Sequence, residues 1–276
     1  MAPAYRTAML PNRIKLPYVE QGDPDGKSVL FLHGFAGSCD SFDQILPLLP
    51  DSFHVFVFTQ RGHGDASKPQ KGYRLQDFAL DAKGFLDFFG LQDTVVVGHS
   101  MGAAVAIKFA LDYPDLTAGL VLAGSGLPKW GDRAVQNFWD STVSRLEDPV
   151  DPSFVRNFIE NTIARPIPSI VFEKIVRDSL KVPAHVWKEA FKNRLKEDFT
   201  NDIGRIQVPT LIIWGDRDTK TSRSEQEALL TGIPGSQLLV YQGTGHELHY
   251  EEPEHFASDL VKFVENVHGS RQISER

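Results

Sequence analysis

The run Thr94-Val95-Val96-Val97-Gly98-His99-Ser100-Met101-Gly102, continuing as Ala103-Ala104-Val105-Ala106-Ile107, decides how the rest of the chain is read. The β-branched start predicts a buried strand over Thr94 to Gly98, and the alanine-rich continuation predicts a helix over Met101 to Leu111. Little chain is left to turn from one into the other. A turn that abrupt forces Ser100 into strained backbone angles, and glycines at 98 and 102 remove the side chains that would collide where strand meets helix. The strain lifts the Ser100 hydroxyl above the sheet, the arrangement of a serine nucleophile at a strand-to-helix elbow.

Working outward, the N-terminal half alternates short apolar runs with amphipathic stretches, the pattern of strand-helix units around a mostly parallel sheet. Strands are predicted at Ser28 to Leu32, His54 to Thr59 and Thr117 to Ala123, with helices at Phe42 to Leu49 and Leu75 to Phe89. In the latter, Leu75, Phe78, Ala79, Phe85, Leu86 and Phe89 recur at helical spacing and form one apolar stripe. Arg13 to Glu20, ended by Gly22-Asp23-Pro24-Asp25-Gly26, reads as an antiparallel edge hairpin. The next convincing strand is Thr210 to Trp214, far beyond the roughly 30 residues of an ordinary crossover unit. The interval holds helical patterns instead, one at Arg133 to Glu147 and three more starting near Pro152, Pro168 and Pro183. The strand-helix rhythm then resumes with a helix around Ser224 to Leu230, a strand at Gln237 to Tyr241 and a last helix from Glu254 to Val267.

A serine needs a base to take its proton, and the base needs a partner to fix its tautomer. Gly245-His246 lies in the glycine-rich loop after Tyr241, and Asp218 follows the strand ending at Trp214, with Asp216 as its rival. Each of Ser100, Asp218 and His246 sits just past the C-terminal end of a strand, where ligands bind in parallel sheets. A tetrahedral intermediate would also need fixed donors. Met101 opens a helix and so has an unpaired amide, and Gly34 lets the Phe35 amide approach closely.

These residues resemble the α/β-hydrolase superfamily, specifically its serine esterase and lactonase members with a helical cap. The resemblance rests on Gly98-His99-Ser100-Met101-Gly102, Leu32-His33-Gly34-Phe35, Arg61-Gly62-His63-Gly64 with Lys68-Pro69, Gly215-x-x-Asp218, and Gly245-His246 with Glu252-Pro253 and Phe256 beyond. It implies an eight-stranded, mostly parallel sheet flanked by helices, with a core of residues 1–125 and 205–276 and a helical cap of residues 126–204 between strands 6 and 7. It also implies Ser100 as nucleophile, His246 as general base, Asp218 as orienting carboxylate, and the Phe35 and Met101 amides as an oxyanion hole. Three of the four tryptophans, Trp130, Trp139 and Trp187, fall in the insertion and are candidates to line an apolar pocket. The chain departs from the family pattern at Thr59, Ala66 and Ala103. The reaction implied is hydrolysis of a small or medium ester or lactone through an acyl-enzyme. A carbon-carbon bond hydrolase, or a slow-turnover ligand receptor keeping the same three residues, stands as the alternative.

Composition narrows the field. The chain has 276 residues, 41% hydrophobic and 24% charged, with a formal charge of -7. That balance argues against gripping phosphate backbones, which needs a concentrated basic face. No apolar run approaches the ~18 to 20 residues that span a bilayer, and the N-terminus lacks a signal-peptide pattern, so no nucleic-acid or membrane partner and a cytoplasmic location are expected. Cys39 is the only cysteine, which rules out an internal disulfide and a thiolate metal centre. His246-Glu247-Leu248-His249 is one residue short of a zinc-protease motif, and Gly22 to Ser28 is one residue short of a phosphate loop. No cofactor or metal is expected.

Overall fold

A computed structural model describes residues 5–127, 131 and 133–274. Eight strands form one sheet: β1 (Tyr5–Met9), β2 (Lys15–Gly22), β3 (Lys27–Leu32), β4 (Phe53–Phe58), β5 (Thr94–His99), β6 (Thr117–Ala123), β7 (Thr210–Gly215) and β8 (Gln237–Tyr241). Their order is β1-β2-β4-β3-β5-β6-β7-β8. From β4 to β8 every neighbour is parallel, while β1 with β2 and β2 with β4 are antiparallel. The sheet is therefore mixed, with its antiparallel part confined to the N-terminal edge.

The central strands β4, β5, β6 and β7 are buried at every position because helices cover both faces. Alternate residues divide the core. Leu30, Leu32, Phe56 and Phe58 face α1 (Leu75–Phe89) and α2 (Met101–Asp112), whereas Val29, Phe31, Val95 and Val97 face the C-terminal helix. Between β6 and β7 the chain runs through α3 (Arg133–Ser141), α4 (Pro152–Glu160), α5 (Ser169–Ser179) and α6 (Ala184–Arg194). The remaining helices are α7 (Arg223–Gly232), α8 (Leu248–Glu251) and α9 (Pro253–Ser274). Among the described residues no helix is long and apolar enough to cross a membrane.

Three local expectations are corrected. The edge hairpin is β1 with β2, turning at 10–14 where Arg13 adopts φ 64°, and the turn after Gly22 leads to β3, which pairs with β4 and not with β2. Of β1's five residues only Ala8 is buried, so its apolar alternation is too short to read. The helix expected over Phe42 to Leu49 is replaced by two 3-10 turns, Cys39–Phe42 and Leu46–Leu48. Pro47 lacks the amide a continuous helix would need and disfavours the helical conformation at Leu46 before it. The helix expected over Arg133 to Glu147 stops at Ser141 and resumes only as a 3-10 turn, Val143–Arg145. Cys39, in the first of the 3-10 turns, is buried.

Candidate active site

Ser100 caps α2 with φ 53° and ψ −114°, a left-handed φ that a non-glycine residue holds only when its surroundings enforce it. Its amide donates to the Ala123 carbonyl (2.9 Å), and its own carbonyl accepts from Ala103 (3.0 Å) and Ala104 (3.2 Å). Strand β6 and the first turn of α2 thus grip it from both sides. A Cβ at Gly102 would lie 2.0 Å from the Leu32 carbonyl oxygen, so this position admits only glycine.

His246 comes from the loop between β8 and α8. Its Nε2 is 2.8 Å from Ser100 Oγ and its Nδ1 is 2.8 Å from Asp218 Oδ2. Asp218 Oδ2 also accepts from Thr221 Oγ1 (2.6 Å), while Oδ1 accepts from the Lys220 and Thr221 amides (2.7 and 3.0 Å). Burial alone would raise the Asp218 carboxyl, but His246 and these donors hold it below the usual carboxylate range. Burial would depress His246, yet the carboxylate beside it wins and the imidazole lies above its ordinary value. Asp216, the alternative acid, is exposed and accepts from the Gly243 amide (2.6 Å), so it shapes the turn. The chain Asp218, His246, Ser100 can pass a proton from the hydroxyl to the imidazole while the carboxylate holds the ring.

The loop after β3 brings Phe35 to the same place. A Cβ at Gly34 would stand 2.7 Å from His99 Nδ1 and 3.3 Å from the Ser100 Cβ, which shows how closely this backbone approaches the serine. Among the described residues, neither the Phe35 nor the Met101 amide donates a hydrogen bond, and both residues line the cavity beside Ser100. His33 sets the loop: its Nε2 accepts from the Gln60 amide (2.9 Å) and its Nδ1 donates to the Gly34 carbonyl (2.8 Å). His99 donates Nε2–H to the His246 carbonyl (3.0 Å), and burial drives its pKa down to about 3, so it stays a neutral brace.

A cavity of about 430 Å³ opens onto Ser100 and His246. Its walls combine core residues (Phe35, Tyr73, Phe78, Met101) with residues of the inserted helices (Val135, Phe138, Phe158, Phe191). Arg194 and Lys220 add positive charge to the wall, and Glu225 and Glu247 add carboxyls. Of the tryptophans singled out in the sequence, Trp130 lies outside the described residues, and neither Trp139 nor Trp187 lines the cavity. Trp187 is fully buried behind the wall, edge-on to Phe35 (4.5 Å between ring centroids) and parallel to Phe191 (6.1 Å). Phenylalanines take the wall because the larger indole fills the interior of the insertion.

One residue invisible to sequence reading holds the histidine loop. Glu251 Oε2 accepts from the amides of Gly245 (2.9 Å), Ala164 (3.2 Å) and Arg165 (2.8 Å), tying that loop to the α4–α5 connection. In addition, the His246 amide donates to the Thr162 carbonyl (2.9 Å). His99, Glu247 and His249 bring one potential ligand atom each within 4.8 Å of one another. Both imidazole Nε2 atoms lie 3.9 Å from Glu247 Oε2, and that of His99 is already engaged with the His246 carbonyl. In this geometry the cluster is a packed polar group with ligand atoms farther apart than the ~3.3 Å of a tetrahedral zinc shell.

Residues 27–253 match the model of the alpha/beta hydrolase fold. The chain belongs to the α/β-hydrolase fold family. This α/β-hydrolase is 27% identical to a non-heme haloperoxidase of Rhodococcus erythropolis over 87% of its own length and 93% of that protein. A solved thermophilic esterase from Thermogutta terrifontis superposes with a TM-score of 0.85 at 26% identity, covering 96% of this chain and 99% of that one. Est816, described as an N-acyl homoserine lactone degrading enzyme, superposes at 0.78 and 25% identity over 91% and 98%. By family and relatives this α/β-hydrolase is an enzyme of the hydrolase class.

Proposed function

We propose that the protein hydrolyses small to medium carboxylic esters or lactones through an acyl-enzyme formed on Ser100. The observation that carries this reading is the unbroken hydrogen-bond chain from Asp218 through His246 to Ser100 Oγ at the edge of the cavity. His246 takes the serine proton as the hydroxyl attacks the substrate carbonyl, and the resulting imidazolium is stabilised by the Asp218 carboxylate. The oxyanion is received by the Phe35 and Met101 amides, the second reinforced by the positive end of α2. His246 then protonates the leaving alcohol. Water enters, gives its proton to the same imidazole, and releases the acid.

In this reading residues 126–204 act as a cap. Their helices supply Phe138, Phe158 and Phe191 to the wall, an apolar lining that excludes water from the reacting carbonyl. The resemblance to an esterase and to a lactone-degrading enzyme supports both substrate forms. The test is Ser100→Ala assayed with p-nitrophenyl esters, a lactone series and a fluorophosphonate probe. Loss of labelling and turnover together is the expected result, and labelling that persists elsewhere on the chain overturns the nucleophile. Many turnovers by the natural chain separate an enzyme from a ligand receptor that stops after about one.

A further inference from the structure

The Phe35 amide can serve an oxyanion only if its loop holds one conformation, and that conformation is unusual. Ala36, next in the chain, has φ 64°, a left-handed value that alanine seldom adopts unaided. The core side of the loop is fixed by His33 and Gln60 as described above, and by the turn in which the Gly37 amide donates to the Gly34 carbonyl (3.1 Å). The other side is fixed from α5, 143 residues away in sequence. Ser179 Oγ donates to the Ala36 carbonyl (3.0 Å), and Ser38 Oγ donates to Asp178 Oδ2 (3.0 Å). All four residues are buried, so neither bond competes with bulk water.

We propose that Ser179, supported by Asp178, is a positioning residue that sets the Phe35 amide for the oxyanion, so that the inserted helices complete the catalytic site as well as roofing it. The proposal rests on the ester-hydrolysis reading above and deepens it. Ser179 holds the Ala36 carbonyl, part of the Ala36–Gly37 peptide, toward α5 and so supports the left-handed backbone at Ala36 that follows the Phe35 amide. Without that donor the carbonyl is buried and unsatisfied, and Ala36 gains by relaxing to an ordinary φ. Relaxation would swing the Phe35 amide away from Ser100 while leaving in place the wall formed by Phe78, Phe138, Phe158 and Phe191.

The test is Ser179→Ala and Ser179→Thr, followed by the second-order rate of Ser100 phosphonylation by a p-nitrophenyl alkylphosphonate, which needs no natural substrate. Removing an oxyanion donor outright costs about 10² to 10³ in rate, so a displaced one should cost roughly 10- to 100-fold. Ser179→Ala is expected to lose that factor in phosphonylation and in kcat, with KM for a p-nitrophenyl ester within about twofold. Affinity for a trifluoromethyl ketone, whose adduct carries the oxyanion, should fall by the same factor, and Ser179→Thr, which keeps the hydroxyl, should recover most of it. Should Ser179→Ala not fold, judged by its melting transition, Asp178→Asn is read the same way for a smaller loss. Unchanged phosphonylation, or a rise in KM with kcat intact, overturns the proposal. Labelling of Ser100→Ala at another residue would instead overturn the reading it rests on.

Discussion

At the scale of single residues the proposed chemistry turns on charge placement around one imidazole. The Asp218 carboxylate raises His246 above the ordinary histidine value, so the imidazolium persists to higher pH than a free imidazole would. Only the neutral ring can act as base. Hydrolysis is therefore expected to climb as pH rises through a midpoint above 6.5 and then level off, and a kcat/KM profile from pH 5 to 9 checks it. A midpoint well below 6.5 would contradict the pairing. Asp218→Asn keeps the shape but offers the ring an amide where it needs a negative acceptor. Steady-state kinetics of that variant should show kcat down by about 10³- to 10⁴-fold with little change in melting temperature.

These three side chains were legible in the sequence because each follows a recognisable strand, and a strand end is a place that local pattern can locate. The wall of the cavity was not. Whether Trp187 or Phe191 faces the substrate depends on how a helix is rotated about its axis, and that is settled by packing against Phe35 and Phe154. Ser179 and Glu251 escaped notice for a related cause. Their partners are loop backbone atoms, most of them far along the chain, and no periodicity marks such a contact.

At the scale of elements, two polar ties hold the site's loops. Glu251 Oε2 gathers three backbone donors from two segments, the histidine loop and the α4–α5 connection. Glu251→Ala strands those amides and should lower the unfolding free energy by about 2 to 3 kcal/mol, measured by urea titration, with a parallel loss of kcat. Glu251→Gln retains one acceptor oxygen and should lose less. The second tie is a buried ion pair. Arg61, just beyond β4, donates to both carboxylate oxygens of Asp81 in α1 (2.5 and 2.6 Å) and to the Gly72 carbonyl (2.9 Å). Replacing Asp81 with Ala leaves a guanidinium buried without its counter-charge, and a cost of about 3 to 5 kcal/mol is expected from the shift in denaturation midpoint. Arg61 was visible as part of Arg61-Gly62-His63-Gly64, but nothing local named Asp81 as its partner.

At the scale of the molecule, core and insertion share one interior. Val143, Val155, Val182, Val186 and Trp187 belong to the same buried cluster as Leu30, Phe56 and Leu122 of the sheet. Lys174 reaches from α5 to Asp40 and Asp43, and Arg165 pairs with Glu252. Excising residues 126–204 and closing the gap with a short linker should therefore give a chain without a cooperative melting transition. Calorimetry of the purified fragment decides the matter. The presence of an insertion was readable from the missing strand between Ala123 and Thr210, whereas its continuity with the core was not, since periodicity assigns a face to each helix without naming its neighbour.

The solitary cysteine carries a practical consequence. Cys39 is only 4% exposed, and burial pushes its thiol up to about 11, so at neutral pH almost none of it is the reactive thiolate. The natural chain is therefore expected to take up little maleimide or nitroxide reagent, which mass spectrometry after labelling checks. One cysteine introduced on the outer side of α3, and another on α1, would take a dye pair or two spin labels without any prior thiol removal, and the spacing between the inserted helices and the core could be followed on addition of an ester.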